Sequence, residues 1–309
     1  MKQSLAAFAA LVPIFALILL GYSLRRYRIV PDEFWAPMEK LTYFIFFPLL
    51  LLDNLSKANL GDLSVLPMAL ALMSAILAVT LGLYLLRRRL NLTGPAFSSV
   101  FQGSVRPNTF VGLAAASALF GVPGVTLFAI GLASVVPLVN VLCVVVLSRY
   151  GTGQSNGPSV KAAVFGILRN PIILGVAAGA LLNLSGIGKP PVFGPICEIL
   201  GAAATPLGLL AVGAGLDIPA VRSAGRALLQ SSAIKLLIVP GLTALFCAVY
   251  GVHGLTLTIA VLFNALPAAA SSYVLARQMG GDSSLMAGLI TAQTVLALPS
   301  IPFALMMFG

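Results

Sequence analysis

The chain has 309 residues, 59% of them hydrophobic and only 8% charged, with 18 Lys and Arg against 8 Asp and Glu. A soluble domain carries about a quarter charged residues, so this composition, arranged in long apolar runs, excludes an ordinary water-soluble fold and indicates an all-α polytopic membrane protein. The net charge of +10 is no sign of nucleic acid, because the basic residues stand in short clusters between apolar runs, without interleaved aromatics.

Ten apolar segments of membrane-spanning length follow in order, at approximately 4–24, 37–55, 63–86, 96–120, 123–148, 162–184, 191–215, 228–250, 254–279 and 284–308. Before the first there is only Lys2, and no small-residue cleavage site precedes Arg25, Arg26 and Arg28; the segment is expected to be a retained helix rather than a signal peptide. Between segments 1 and 2, RRYRIVPDEFWAPMEK mixes charge with Tyr27, Phe34 and Trp35, the composition of an anchor along the membrane surface.

Arg25, Arg26, Arg28, Arg87, Arg88, Arg89, Arg149, Lys161, Arg222, Arg226 and Arg277 all fall on one side of this arrangement. Lys2, Lys57 and Lys189 fall on the other. The excess predicts cytoplasmic odd-numbered loops and both termini outside. The longest connection, YGTGQSNGPS at Tyr150–Ser159, is polar and lies at mid-chain.

Cys143, Cys197 and Cys247 have neither disulfide nor metal-ligand spacing, and His253 is the single histidine. No nucleophile and base pair stands out, and no GxxxxGK[ST] phosphate loop exists, so neither an enzyme, a metal, a cofactor nor direct ATP use is expected.

Prolines reveal an internal repeat. Pro13 with Gly21 is matched by Pro171 with Gly179 at an offset of 158, and Pro48 by Pro206 at the same offset. Pro107 meets Pro267 at 160 and Pro137 meets Pro299 at 162. A unit of five crossings must enter the membrane from opposite sides in its two copies, which predicts a five-plus-five inverted repeat, 1–150 and 161–309, joined by a linker at 151–160.

Segments 4 and 9 carry proline near mid-length, in SVRPNTFVG and FNALPAAASSYV. Each proline deprives the carbonyl four residues back, Gly103 or Phe263, of its usual donor, so two antiparallel helices can break and cross at one depth. Helix N-termini and loose carbonyls would then face a midplane cavity suited to an anion. Arg106 lies roughly 15 Å from either end of its segment at 1.5 Å per residue, too deep to snorkel easily. Its planar fork suits a substrate carboxylate; the alternative is a structural ion pair with Asp53 or Glu198. Asn108, Thr109, Asn264, Ser271 and Ser272 are further polar groups at that depth, able either to orient a ligand or to join helices.

Asp53, Glu198 and Gln293 are candidates for ion coupling, the carboxylates alternatively pairing with basic residues. Lys40, Arg169 and Lys235 read as snorkelling side chains, with cavity lining the alternative for Lys235.

The runs RPNTFVGLAAASALFG, NPIILGVAAGALLNLSGI, ATPLGLLAVGAGLD and ALPAAASSYVLARQMGGDSSL, in this order, give the chain a resemblance to the auxin efflux carrier family over essentially its full length, in the bacterial branch of malonate and malate permeases. The resemblance implies a ten-helix inverted repeat similar to NhaA-type and bile-acid symporter folds. Helices 1, 2, 6 and 7 would form a scaffold, and helices 3–5 and 8–10 a transport domain with the crossing at Pro107 and Pro267. It places Asn108 at the family's broken fourth helix and Arg106 at the arginine common in bacterial members. Gly112, Leu113 and Ala114 depart from the Gly-Leu-Pro or Gly-Ile-Pro of many members, which implies a different cavity shape.

The expected function is alternating-access secondary transport of a small organic carboxylate in a bacterial inner membrane, with a proton or sodium ion as the coupling ion and a homodimer through the scaffold helices as an allowed assembly. A sodium-coupled bile-acid-type symporter using Asn108, Asn264 and Gln293, or a carboxylate-binding sensor that moves nothing, are the alternatives.

Overall fold

A computed structural model describes residues 2–58, 65–152, 165–166, 169–185 and 192–309. Most of the central linker, Lys161 and Lys189 lie outside the described residues. The architecture is all-helical: α1 (Lys2–Arg26), α2 (Asp32–Ser56), α3 (Val65–Leu90), α4 (Gly94–Val105), α5 (Thr109–Tyr150), α6 (Pro171–Ser185), α7 (Phe193–Ala214), α8 (Ile218–Ser223), α9 (Gly225–Val249), α10 (Gly254–Ala265), α11 (Ser271–Met279) and α12 (Ser283–Phe308). By length and composition seven of these, α1, α2, α3, α5, α7, α9 and α12, suffice to cross a membrane, and α6 and α10 are shorter apolar helices.

Local chemistry sets the boundaries. The Thr93 hydroxyl accepts from the Ala96 N–H at the start of α4, and the Asp282 carboxylate accepts from the Leu285 N–H at the start of α12. Gly280, at φ 72°, ends α11 in the left-handed region open to glycine. Gly121, at φ 60° and ψ −147°, bends α5 into two helices, so its 42 residues hold more than one apolar run. A turn of π-helix interrupts α2 at Thr42–Phe46 and α9 at Ile234–Ile238, each immediately before a proline-containing stretch.

Contacts divide the chain into two units. The first comprises Met1–Val65, Phe110–Ala133 and Gly166–Gly215. Within it α1 packs along α7 and α6 along the second half of α2. The approach is close at glycines: Gly21 abuts the Leu210 backbone, and Gly179 abuts that of Leu52. The ends of α7 and α2 are closed by side chains from the helices packed on them. Arg25 Nη1 donates to the Ala214 carbonyl at 2.7 Å, and Asn183 Nδ2 to the Ser56 and Ala58 carbonyls at 3.3 and 2.7 Å. These pairs are related by the 158-residue offset: 21 and 210 map onto 179 and 52, and 25 and 214 onto 183 and 56.

A Cβ placed on Gly175 would lie 2.6 Å from the Pro48 carbonyl oxygen. Gly175→Val is therefore expected to force α6 off α2 and to remove the monodisperse peak in fluorescence-detected size-exclusion chromatography. A wild-type elution profile would show that this contact can open freely.

The second unit comprises Leu66–Thr109, Ser134–Phe165 and Leu216–Gly309. Here α4 and α10 each pack on α9 and α12, and α11 packs on α4 and α12. Tyr84, Phe97, Phe101 and Tyr150 form an aromatic cluster, over which the Arg87 guanidinium sits 4.0 Å from the Tyr150 ring centre. One member of the Arg87, Arg88 and Arg89 cluster thus turns onto aromatic rings. Lys235 does not snorkel: it is fully buried, at 0% exposure. The sequence reading placed it by distance along the segment, and the packing of α9 against α4, α10 and α12 closes over its side chain.

Candidate functional site

Two extended breaks build the site. Within 96–120 the helix stops at Val105 and restarts at Thr109, and within 254–279 it stops at Ala265 and restarts at Ser271. Arg106 and Leu266 are both extended, at φ −86°, ψ 117° and φ −67°, ψ 151°, as expected for residues preceding proline. The breaks pair as an antiparallel bridge between Pro107 and Ala268. The Asn108 N–H donates to the Pro267 carbonyl at 2.9 Å, and the Ala269 N–H donates to the Arg106 carbonyl at 3.2 Å. Backbone groups freed from one helix are thereby satisfied by the other, as a low-dielectric surrounding requires.

Gln293 of α12 clips the two breaks together. Its Oε1 accepts the Ala268 N–H at 2.9 Å, while Nε2 donates to the Gly103 carbonyl at 3.2 Å and to Ser231 Oγ at 3.2 Å. Gly103 carries the carbonyl that Pro107 leaves without a helical donor. Among the ion-coupling candidates Gln293 thus occupies a position in the hydrogen-bond frame of the breaks. A lone amide in the apolar run LITAQTVLALPS was the available signal for it.

Arg106 is partly exposed, and its Nη2 donates to Ser271 Oγ at 3.2 Å, at the first residue of α11. The Cys143 thiol, fully buried, lies near the same guanidinium. The two carboxylates considered as structural partners of Arg106 flank Lys57 in the first unit, at 3.0 Å for Asp53 and 3.5 Å for Glu198. Asp53 is buried and Glu198 is largely exposed.

Asn108 is buried, and its Nδ2 reaches the Ala268 carbonyl at 3.5 Å. Thr109, partly exposed, begins α5. Asn264 is fully buried; Nδ2 donates to Thr243 Oγ1 at 2.7 Å, and Oδ1 has no partner among the described residues. Ser271 is exposed beside Arg106, whereas Ser272 is buried and its hydroxyl has no partner among the described residues. Arg106, Asn108 and Ser271 therefore gather at the breaks, Asn264 is the penultimate residue of α10, and Asp53 and Glu198 belong to the other unit.

Chemically the breaks offer a permanent cation on extended backbone, at a point where α5 and α11 begin and α4 and α10 end. Helix N-termini carry partial positive charge and unpaired N–H groups, so the charge and the dipoles at Arg106 and Ser271 both favour an anion. Among the described residues no group of three His, Cys, Asp or Glu could hold a metal ion.

Long apolar helices with a cation at an interior helix break define the class: a multi-pass membrane protein built for transport. The chain belongs to the membrane transport protein family, the auxin efflux carrier family, whose model matches residues 6–163 and 158–305. It is 25% identical over 291 residues to an uncharacterized transporter of Methanothermobacter thermautotrophicus, covering 94% of both chains. It is 24% identical over 307 residues to a candidate malonate transporter of Rhizobium meliloti, covering 94% of this chain and 92% of the relative. The family and these relatives are transporters, not enzymes.

Proposed function

We propose that the protein is a secondary transporter of a small organic carboxylate, with malonate or a similar short dicarboxylate as its substrate. The observation that carries this reading is Arg106, held at a paired helix break, donating to Ser271 at the N-terminus of α11. A guanidinium presents two parallel N–H groups to a carboxylate, and the helix N-terminus adds further donors. Asn108 and Thr109 would orient the ligand from the other break. The name of the Rhizobium meliloti relative points to the same substrate class.

The architecture in this proposal is ten transmembrane helices in a five-plus-five inverted repeat, 1–150 and 161–309 about the 151–160 linker, with helices 4 and 9 broken and crossing. The 158-residue symmetry of the Gly21 and Gly179 contacts and of the Arg25 and Asn183 caps supports it. So do α4 and α10, two twelve-residue helices offset by 160 that each end at a break. Scaffold helices 1, 2, 6 and 7 correspond to α1, α2, α6 and α7, whose grouping in one unit supports a scaffold, while Phe110–Ala133 of α5, counted with helices 3–5, groups with that unit as well. Alternating access would move the domain bearing the crossing against this scaffold, through which two copies would dimerise. The proposed setting is a bacterial inner membrane with both termini outside, from the basic clusters of the odd-numbered loops.

A ligand that binds only the folded state stabilises it by about 2.7 kcal/mol at a hundred times its Kd. Purified protein is expected to gain several degrees of thermal stability with malonate or malate and nothing with uncharged esters of the same acids. A screen of mono- and dicarboxylates with no stabilising member would sink the carboxylate reading.

A further inference from the structure

We propose that Lys235 is the proton-carrying group of the transport cycle, protonated when the anion is aboard and unprotonated when the carrier returns empty. The inference rests on the carboxylate reading above and adds the coupling ion and its residue.

Lys235 is fully buried within the π-helical turn of α9, and its Nζ has no hydrogen-bond partner among the described residues. Among the described residues, the elements packed against that turn include α4, α10, α12 and the flanking parts of α9. The sequences of α4, α10 and α12 contain no Asp, Glu, Lys, Arg, His, Cys or Tyr; α9 adds the exposed Arg226 and the buried Cys247. No carboxylate therefore faces the amine from any of them. Oxygen acceptors without a partner among the described residues stand on the same elements: Gln102 Oε1, Ser232 Oγ, Asn264 Oδ1 and Thr294 Oγ1.

The position ties the amine to the breaks. Lys235 lies one turn beyond Ser231, whose Oγ is 3.4 Å from Ser104 Oγ and 3.2 Å from Gln293 Nε2. Ser104 is two residues from Arg106, and Gln293 is the clip of both breaks. At the 160-residue offset Lys235 corresponds to Ala75, which is also fully buried, so the first repeat fills this place with a small apolar residue. Packing alone does not call for a lysine.

A buried ammonium without a counter-ion is costly in an apolar surrounding, and among the described residues of the elements packed on it no acid supplies the compensating charge. An anion held at Arg106, in the same unit, supplies it, since charges in a low-dielectric interior act beyond contact distance. On the entry side the amine lone pair takes a proton from a hydronium ion, which leaves as water; on the exit side the N–H bond breaks, the proton passes to a water molecule as the anion leaves, and the electron pair returns to the nitrogen. Each cycle moves one proton with one anion, and the amine is regenerated.

The test uses wild type, Lys235→Met and Lys235→Arg in sodium-free proteoliposomes holding a pH-sensitive dye, with labelled malonate outside. Wild type is expected to accumulate malonate when the outside is acid and to acidify the lumen as it does so. Lys235→Met cannot be protonated and is expected to lose gradient-driven accumulation by about tenfold or more, while its melting temperature equals or exceeds that of wild type because an unpaired buried amine has been replaced by an apolar chain of similar size. Lys235→Arg stays charged, so it is expected to exchange malonate for malonate but to lose net accumulation. Accumulation at the wild-type level by either variant overturns the proposal, as does wild-type uptake that needs sodium or moves no protons. A melting temperature lowered by several degrees in Lys235→Met, or loss of exchange together with accumulation in a folded Lys235→Arg, overturns it in favour of a role in the fold. Absence of both exchange and uptake in wild type is a different failure, that of the carboxylate reading, and the coupling falls with it.

Discussion

Arg106→Ala is expected to lower carboxylate uptake into proteoliposomes by roughly 30- to 5,000-fold, the range given by losing about 2–5 kcal/mol when a charged partner of a bound anion is truncated. The folded protein should survive, because among the described residues Arg106 makes no ion pair and its Nη2 bond to Ser271 is exposed. Arg106→Lys keeps the charge but not the planar two-donor fork, and should fall between wild type and the alanine variant. Uptake by Arg106→Ala within about twofold of wild type would remove the anion-binding role from this residue. Aggregation of the variant in detergent would instead assign Arg106 to the fold.

Gln293→Leu is expected to lower stability strongly. It leaves the Ala268 N–H and the Gly103 carbonyl buried without their partner, each costing about 1–3 kcal/mol, so the loss is of order 2–6 kcal/mol out of a total that is small for any folded protein. The measurement is the melting temperature in detergent, and a drop of less than a few degrees would mean that the breaks hold without the clip. Gln293→Glu is a sharper probe. It retains the acceptor toward Ala268 and exchanges the donors toward Gly103 and Ser231 for a further acceptor, so it should resemble the leucine variant.

Much of this arrangement was legible in the sequence because it follows from the cost of polar groups in hydrocarbon. The apolar runs marked the helices, and Pro107 and Pro267 marked the breaks, since a residue without an N–H cannot continue the helical ladder. Gly103 was named as the carbonyl left without a donor, and it receives one from Gln293. Arg106 stood out by its depth in an apolar segment, and Asn108 by following the break directly. What depth could not show is rotation about the helix axis. Lys235 lies at a distance from the membrane edge that permits snorkelling, but it points inward; Arg87 sits among arginines that read as topology markers, yet it lies over Tyr150. Asp53 and Glu198 come from segments 2 and 7, and no sequence rule brings both to Lys57.

The sequence by itself determined that the chain is a polytopic helical membrane protein, where its two interior helices break, and which cation stands at a break. Composition and proline chemistry act locally and need no partner to be read. The tertiary structure alone decided how the freed backbone groups are satisfied, by the pairing of Arg106–Asn108 with Pro267–Ala269 and by Gln293, and it alone buried Lys235 with no counter-charge among the described residues. Such outcomes depend on which helix faces meet, and that is a property of packing between segments more than a hundred residues apart in the chain.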